Sequence, residues 1–275
     1  MKTEGGLFFP VQIELPRNRD PEIVGESASF IVVYKPPRIH SVPLTAEASG
    51  ETLLDFAAKL YPEVRSVLGW KAVEGGLVHR LDYQTRGLVL IARTQDAMDA
   101  FMYQQKQDQI IKEYTAVSAG AGEKPPGFPP CAQRSPEQAV IKSAFRPYGK
   151  GRKAVRPVLP PLPAASGPGD TGGGMAAVPG VYKTGIVSRA ENGRVFRLRI
   201  SRGYRHQIRC HLAWIGRPIM NDSLYGGVPG GDGTLALCAD KITFTDPDTG
   251  ENREYTFATR EKKIAANHRE TTNFL

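Results

Sequence analysis

The apolar positions of this chain fall into short runs separated by turn residues, a pattern typical of a domain with both strands and helices. Residues 29–34 and 87–92 are almost entirely apolar and predict two buried strands. Lys35 and Pro36 follow the first run and end it, because proline cannot donate a hydrogen bond to a neighbouring strand. Three more strands are predicted over residues 110–117, 182–188 and 195–200.

Apolar residues at helical spacing predict two helices in the first half of the chain. The first covers residues 50–61 and ends before Pro62. The second runs from an N-cap at Thr94 to about Gln107.

A third helix is predicted from Ile208, Leu212 and Ile215, and it ends at Gly216. We expect this helix to be amphipathic, with Arg205 and Arg209 on its other face. A cationic face packed near an acidic residue would keep that acid ionised.

The composition changes between residues 119 and 180, where proline and glycine are frequent at both ends. Such stretches cannot bury enough apolar surface to order themselves. The central part, residues 144–156, carries five cations around Phe145 and Tyr148. Two interpretations stay open for it: a loop that grips RNA through phosphates and stacked bases, or an ordinary solvated basic loop.

Length and charge limit the classes of function. A chain of 275 residues can bury a sizeable core, and we expect a single domain over residues 1–275 with the insertion at about 119–180. The formal charge of +8 and a pI of about 9.4 favour a polyanionic partner. The three cysteines show no disulfide or zinc spacing, and neither a leader peptide nor a membrane span is predicted. We expect a cytoplasmic monomer.

Asp82 is the residue with the strongest indication of chemistry. It precedes the buried strand at 87–92, and Arg80 lies two residues before it. A carboxylate at the end of a buried strand is partly desolvated, and we expect Arg80 to keep it ionised. Such a group suits a nucleophile or a general base, whereas an isolated Arg-Leu-Asp would more often be a surface ion pair.

The segment around Asp82 resembles the signature of the RluA-type pseudouridine synthases: His-Arg-Leu-Asp, two variable residues, Thr-Ser-Gly-Leu, and a strand ending in Ala-Lys. The matching residues are His79, Arg80, Leu81, Asp82, Thr85, Gly87, Leu88 and Ala92. Two positions differ, because Arg86 replaces a serine and Arg93 replaces a lysine.

Two shorter motifs of that family are also present. Lys35, Pro36 and Pro43 match a Lys-Pro-x-Gly turn and its following stretch, but Arg38 replaces the glycine. We therefore expect a different backbone conformation at residue 38, and we expect Lys35 to support the floor of the site. Lys112 and Tyr114 match a Lys-x-Tyr strand.

A second long motif follows the 195–200 strand and resembles the family's Gly-Arg-Thr-His-Gln-Ile-Arg-x-His-Leu, then Pro-Ile and Asp-x-x-Tyr-Gly. The matching residues are Gly203, His206, Gln207, Ile208, Arg209, His211, Leu212, Pro218, Ile219, Asp222, Tyr225 and Gly226. Tyr204 and Arg205 depart from the pattern, so that Arg202 or Arg205 would replace the usual arginine.

The resemblance implies an α+β fold, with a mixed, largely antiparallel bent sheet, flanking helices and a central catalytic cleft. It also implies an enzyme that converts uridine in structured ribosomal or transfer RNA to pseudouridine. Asp82 would be the catalytic carboxylate, Arg209 its ion-pair partner, Tyr114 a stacking platform, and Arg80 the group that replaces the flipped uridine. Further substrate-binding residues would be His79, Thr85, Arg205, His206, Gln207 and Leu237.

The chemistry itself leaves alternatives open. Isomerisation of uridine is redox-neutral, so no cofactor is expected, and Asp82 would either attack the anomeric carbon or remove a proton to give a glycal. A metal site at His206, Cys210 and His211 is disfavoured, because nearby arginines repel a cation. Two competing functions are an RNA-binding protein without catalysis and an N-glycosidase that releases uracil.

Overall fold

The computed structural model describes residues 11–14, 20–43, 51–131, 140–159, 180–190, 193–257 and 260–263. Twelve strands occur in these ranges: β1 Val11–Glu14, β2 Glu22–Glu26, β3 Phe30–Lys35, β4 Arg86–Ala92, β5 Ile111–Val117, β6 Val140–Tyr148, β7 Ala154–Val158, β8 Tyr182–Ala190, β9 Val195–Ile200, β10 Leu237–Thr245, β11 Asn252–Thr256 and β12 Arg260–Lys263. The helices are α1 Leu53–Leu60, α2 Gln95–Lys106 and α3 Gln207–Trp214.

Ten strands form one sheet in the order β2-β3-β4-β10-β5-β9-β8-β6-β7, with β11 paired to β10. Every pairing described is antiparallel except that of β4 with β10, while β1 and β12 form a separate two-stranded sheet. The predicted mixed, largely antiparallel sheet is therefore confirmed. None of the helices in the described ranges is long and apolar enough to cross a membrane.

Strands β3 and β4 are buried along their whole length, as their apolar runs predict, and the buried stretch also includes Lys35 at the end of β3 and Arg86 at the start of β4. They pair from Phe30 with Ala92 to Lys35 with Gly87, which brings the end of β3 next to the turn that precedes β4. Gly87 has φ 129°, and a Cβ at this position would lie 2.2 Å from the carbonyl oxygen of Ala239 on β10. Only glycine allows β4 and β10 to approach this closely.

Helices α1 and α2 begin at the residues that capping chemistry favours. Thr52 caps α1 and forms a reciprocal capping box with Asp55, while the Thr94 hydroxyl accepts a hydrogen bond from the backbone of Ala97 at the start of α2. The prediction for α2 is confirmed. That for α1 is confirmed from Leu53 onward, and its predicted start at Gly50 lies outside the described residues.

Helix α3 differs from its predicted amphipathic character, because all eight of its residues are buried. Its polar side chains find partners inside the protein. His211 contacts the hydroxyls of Ser143 and Thr184 at 2.9 and 2.8 Å, so its ring can be buried against strands β6 and β8 with both nitrogens paired. Arg205 lies before the helix and not on its face.

The central part of the insertion is a β-hairpin and not a loop, since β6 and β7 pair from Ala144–Val158 to Tyr148–Ala154. Phe145 is buried and stacks on Tyr204 with a ring distance of 5.0 Å. The expectation that Phe145 could stack on bases is therefore wrong, because apolar packing against α3 and its preceding loop takes the ring into the core. Residues 160–179 of the insertion lie outside the described residues.

Candidate active site

Asp82 lies in the turn before β4, where its carbonyl accepts a hydrogen bond from the backbone of Thr85 at 3.0 Å. Its side chain is 23% exposed. Burial raises the pKa of Asp82 above its usual 3.8, while Arg209, the backbone N–H of His206 and Lys35 oppose this rise. The carboxyl group is thus desolvated but faces several groups that favour its charged form.

Arg209 is the cation closest to Asp82, and it is shared between two carboxylates. Its Nη1 lies 3.7 Å from Asp82 Oδ2, while its Nε and Nη2 each donate to Asp222 at 2.8 Å. Arg209 and Asp222 are both buried, at 4% and 0% side-chain exposure. The bidentate pair fixes the guanidinium so that its remaining nitrogen faces Asp82.

The sequence predicts the contact between Arg209 and Asp82, but it indicates no role for Asp222. The available signal was the position of Asp222 at the start of the Asp-x-x-Tyr-Gly motif, which matches the family pattern.

Arg80 does not form the ion pair with Asp82 that the sequence suggested. Its Nη1 lies 3.2 Å from Glu74, whose carboxylate is nearly buried and therefore draws the guanidinium toward the turn before Leu77. The cations that favour ionised Asp82 are Arg209, Lys35 and Arg205. Arg80 is 49% exposed and lines the cavity above Asp82, where it is accessible to a ligand.

Lys35 joins the end of β3 to the turn that carries Asp82. Its buried Nζ donates to the carbonyls of Pro36 and Ile39 at 2.9 Å each and reaches that of Tyr83 at 3.5 Å. Burial lowers the pKa of Lys35 to about 7, and the nearby Asp82 opposes this shift. The expected support of the site by Lys35 thus has a geometric basis.

The backbone at Arg38 does not differ from the glycine-type turn, contrary to the expectation. Its φ of 68° lies in the left-handed region that glycine favours, and its N–H donates to the carbonyl of Tyr83 at 2.7 Å. The side chain is exposed, and a Cβ in this left-handed conformation carries local backbone strain.

A cavity of about 850 Å³ opens above Asp82, within the size range of ligand sites. It lies against the middle of the sheet, where Tyr114 of β5 and Leu237 of β10 form part of its wall. All of the sequence-predicted site residues line it: His79, Arg80, Asp82, Thr85, Tyr114, Arg205, His206, Gln207, Arg209 and Leu237.

Two polar atoms of the lining have no hydrogen-bond partner in the described part of the chain. These are Nδ1 of His79 and Oγ1 of Thr85, both buried. Burial and Lys112 lower the pKa of His79 well below 6.5, so its ring is neutral at pH 7. The Nε2 of His79 accepts a hydrogen bond from the backbone of Leu90 at 3.3 Å, which leaves its Nδ1–H and the Thr85 hydroxyl as candidate partners for a ligand.

The amide of Gln207, by contrast, is used within the protein. It donates to Lys183 and Thr184 at 2.9 and 3.1 Å and accepts from the backbone of Tyr204 at 3.0 Å. Gln207 therefore holds the loop before α3 in place.

His206 contacts Asp82 through its backbone N–H, whereas its ring lies farther away. It has φ 57°, and its N–H donates to Asp82. Its Nε2 lies 4.0 Å from Asp82, but burial, Arg209 and Arg205 lower the pKa of His206 to about 3, so the ring is neutral at pH 7 and forms no ion pair. Its Nδ1 lies 3.2 Å from the hydroxyl of Tyr225.

The two arginines considered as replacements at the Tyr204 position point in different directions. Arg202 pairs with Asp108 at 2.8 Å, on the side of α2. Arg205 donates to the carbonyls of Arg152 and Ala154 at 2.9 and 3.3 Å and favours the charged form of Asp82. Arg205 is therefore the better placed of the two.

A metal site at His206, Cys210 and His211 has no support in the geometry. The ring nitrogens of His211 contact Ser143 and Thr184, and the Cys210 thiol donates to the carbonyl of Val155 at 3.5 Å. No group of three potential ligands converges among the described residues.

Comparison with known proteins gives consistent results. The family model of RNA pseudouridylate synthases matches residues 29–214. The ribosomal large subunit pseudouridine synthase D of Pasteurella multocida is 29% identical over 235 residues, which cover 83% of this chain and 62% of that protein. The protein of the same name from Vibrio parahaemolyticus is 27% identical over 278 residues, covering 92% and 74%.

Among solved structures, human RNA pseudouridylate synthase domain containing 1 superposes with a TM-score of 0.53 at 17% identity, covering 89% of this chain and 86% of that one. This likeness shows the fold. The chain spans about 62% of the length of the Pasteurella relative. Because the family model matches most of the chain, including Asp82 and Arg209, the protein belongs to the RNA pseudouridylate synthase family.

Proposed function

We propose that this protein isomerises uridine to pseudouridine in structured RNA, with Asp82 as the catalytic carboxylate. The observation that carries the proposal is the position of Asp82 in the cavity wall, 3.7 Å from a guanidinium that Asp222 holds in place. The names of the relatives refer to the large ribosomal subunit, which favours ribosomal RNA over transfer RNA as the substrate. The proposed location is the cytoplasm, and the proposed state is a monomer.

The reaction breaks the bond between C1′ and N1 and forms one between C1′ and C5, while the C5 proton is lost and N1 gains one. No electrons enter or leave the system. Ionised Asp82 can start this sequence in two ways, by attacking C1′ or by removing a proton from the ribose. Arg209 stabilises the carboxylate whenever it is charged, which supports its role in both routes.

The other cavity residues support recognition of an extruded base. A uridine in folded RNA must leave its stack, at a cost of a few kcal/mol. Tyr114 offers a ring in the cavity wall for stacking, and Arg80 is exposed enough to occupy the vacated position. His79 and Thr85 supply hydrogen-bonding atoms without partners in the described residues.

The test uses unmodified total RNA and the proteins wild type, Asp82→Asn and Glu254→Gln. Glu254 is an exposed acid paired with Lys241 and does not line the cavity, so its variant is the matched control. Pseudouridine is mapped by carbodiimide-stop sequencing. We expect new sites with wild type and control and none with Asp82→Asn.

Two outcomes would overturn the proposal in favour of a named alternative. Salt-sensitive RNA binding by wild type without any new pseudouridine would indicate an RNA-binding protein without catalysis. Release of free uracil would indicate an N-glycosidase.

A further inference from the structure

The hairpin of residues 140–158, which we call the basic hairpin, has a one-sided charge. Residues 140–159 contain no aspartate or glutamate. They contain six cations, Lys142, Arg146, Lys150, Arg152, Lys153 and Arg156, and all but the half-buried Arg156 are exposed. Like charges on one short hairpin repel one another, and a bound anion would relieve this repulsion.

None of these cations pairs with a carboxylate in the described part of the chain. Arg156 instead donates to the carbonyl of Gly127 at 3.1 Å and lies over the ring of Tyr148. Elsewhere on the surface, arginines such as Arg93, Arg199 and Arg202 have acidic partners within 3 Å. The basic hairpin thus differs from an ordinary solvated face with mixed charge.

The backbone of the hairpin is anchored to the rest of the protein, because its apolar side is part of the core. Val155 is buried, and its N–H donates to the hydroxyl of Tyr225 at 2.8 Å. Phe145 stacks on Tyr204 in the loop before α3. With Phe145 buried, the exposed charged groups of the hairpin are all cations. Contacts between cations and phosphates position a nucleic acid without reading its sequence.

The basic hairpin lies beside the cavity. Arg205 lines the cavity, and its guanidinium donates to the carbonyls of Arg152 and Ala154 in the hairpin. The tip at residues 150–153 therefore lies next to the entrance of the site. An RNA strand whose uridine reaches Asp82 would pass within reach of these side chains.

We propose that the basic hairpin binds the phosphates of the RNA that flank the target uridine, independently of base identity. The proposal rests on the proposed function, because it assigns the hairpin to the same RNA. It adds a binding surface outside the cavity, with Lys150, Arg152 and Lys153 as its central residues. A membrane with anionic lipids would attract the same charges, but RNA is favoured because the cavity lies beside the tip.

The test compares two triple variants in an Asp82→Asn background, so that binding is measured without turnover. One variant is Lys150→Gln, Arg152→Gln and Lys153→Gln. The control is Lys59→Gln, Arg199→Gln and Lys241→Gln, whose exposed or partly exposed side chains pair with acids and do not line the cavity. Both variants lower the formal charge equally, so any difference reflects position. Circular dichroism checks that both fold.

Affinity for transcripts of large-subunit ribosomal RNA is measured by filter binding between 0.05 and 0.3 M salt. Each lost phosphate contact lowers the slope of log affinity against log salt by about 0.7 on single-stranded RNA. We expect the hairpin variant to lose about two units of slope, which corresponds to about a hundredfold at 0.1 M salt. The control should keep its slope.

An unchanged slope for the hairpin variant, or an equal loss in the control, would overturn the proposal. So would a loss of binding only to phosphatidylglycerol vesicles, which would indicate a membrane surface. The two proposals fail separately. Absence of pseudouridine refutes the function but leaves the salt slope measurable, while a normal slope refutes the hairpin and leaves the mapping result intact.

Discussion

Removal of the Asp222 charge should lower the free energy of unfolding far more than removal of an exposed acidic side chain would. Asp222→Asn replaces one charged partner of Arg209 with a neutral amide. Both hydrogen bonds of this pair measure 2.8 Å, and both side chains are buried. Breaking a buried ion pair from one side costs about 3–5 kcal/mol, and the remaining amide oxygen places this variant near about 3 kcal/mol.

The matched comparison is Glu254→Gln, which breaks a pair of the same 2.8 Å length whose partners are 29% and 53% exposed. Such exposed pairs contribute about 0–1 kcal/mol. Urea unfolding of both variants, followed by circular dichroism, gives the two free energies of unfolding. A cost for Asp222→Asn within about 1 kcal/mol of the Glu254→Gln value would refute the reasoning.

Activity supplies a second measurement that a purely structural role would not change. With Asp222 neutral, Asp82 is the remaining carboxylate beside Arg209, and one negative charge near Asp82 is lost. Both effects favour ionised Asp82, so its pKa falls. The acid limb of kcat/KM should move to lower pH in Asp222→Asn, and a shift to higher pH would contradict the proposed geometry.

Two further predictions concern the turn after β3. Burial lowers the pKa of Lys35 from 10.5 to about 7, so the folded state binds fewer protons than the unfolded chain between these values, and the unfolding free energy should rise with pH across this window. Lys35→Met should flatten that rise in urea unfolding at several pH values, and an unchanged pH slope would show that Lys35 is not the cause. Arg38→Gly should stabilise the protein by up to about 1 kcal/mol, because glycine adopts φ 68° without strain. Arg38→Ala removes the same side chain but keeps the Cβ, so an equal gain in thermal unfolding would refute the strain argument.

The sequence pattern predicted β3 and β4 because a strand buried on both faces requires a continuous apolar run. Thr94 predicted the start of α2, because an N-cap depends only on residues next to it in the chain. The resemblance to the family identified residues that line the cavity, although these residues are spread along the chain from His79 to Leu237. These features depend on local chemistry or on a pattern shared by the family.

The features that could not be predicted depend on partners distant in the chain. Helix α3 has polar residues at regular intervals, and its burial depends on Ser143 and Thr184 in other strands. Arg80 was assigned to Asp82 because the two are close in sequence, while its partner Glu74 lies in a short turn without a recognisable motif. Phe145 looked exposed among cations, but its neighbour Tyr204 comes about sixty positions later.

The position of β10 determines when the site can form during synthesis. It lies between β4 and β5 and so connects two groups of strands, although its residues 237–245 follow all the other strands of those groups in the chain. Leu237 also lines the cavity, and Asp222 comes only shortly before it. A nascent chain that has exposed both long motifs still lacks this central strand. The cavity is thus completed only after residues 237–245 have been synthesised and have paired between β4 and β5.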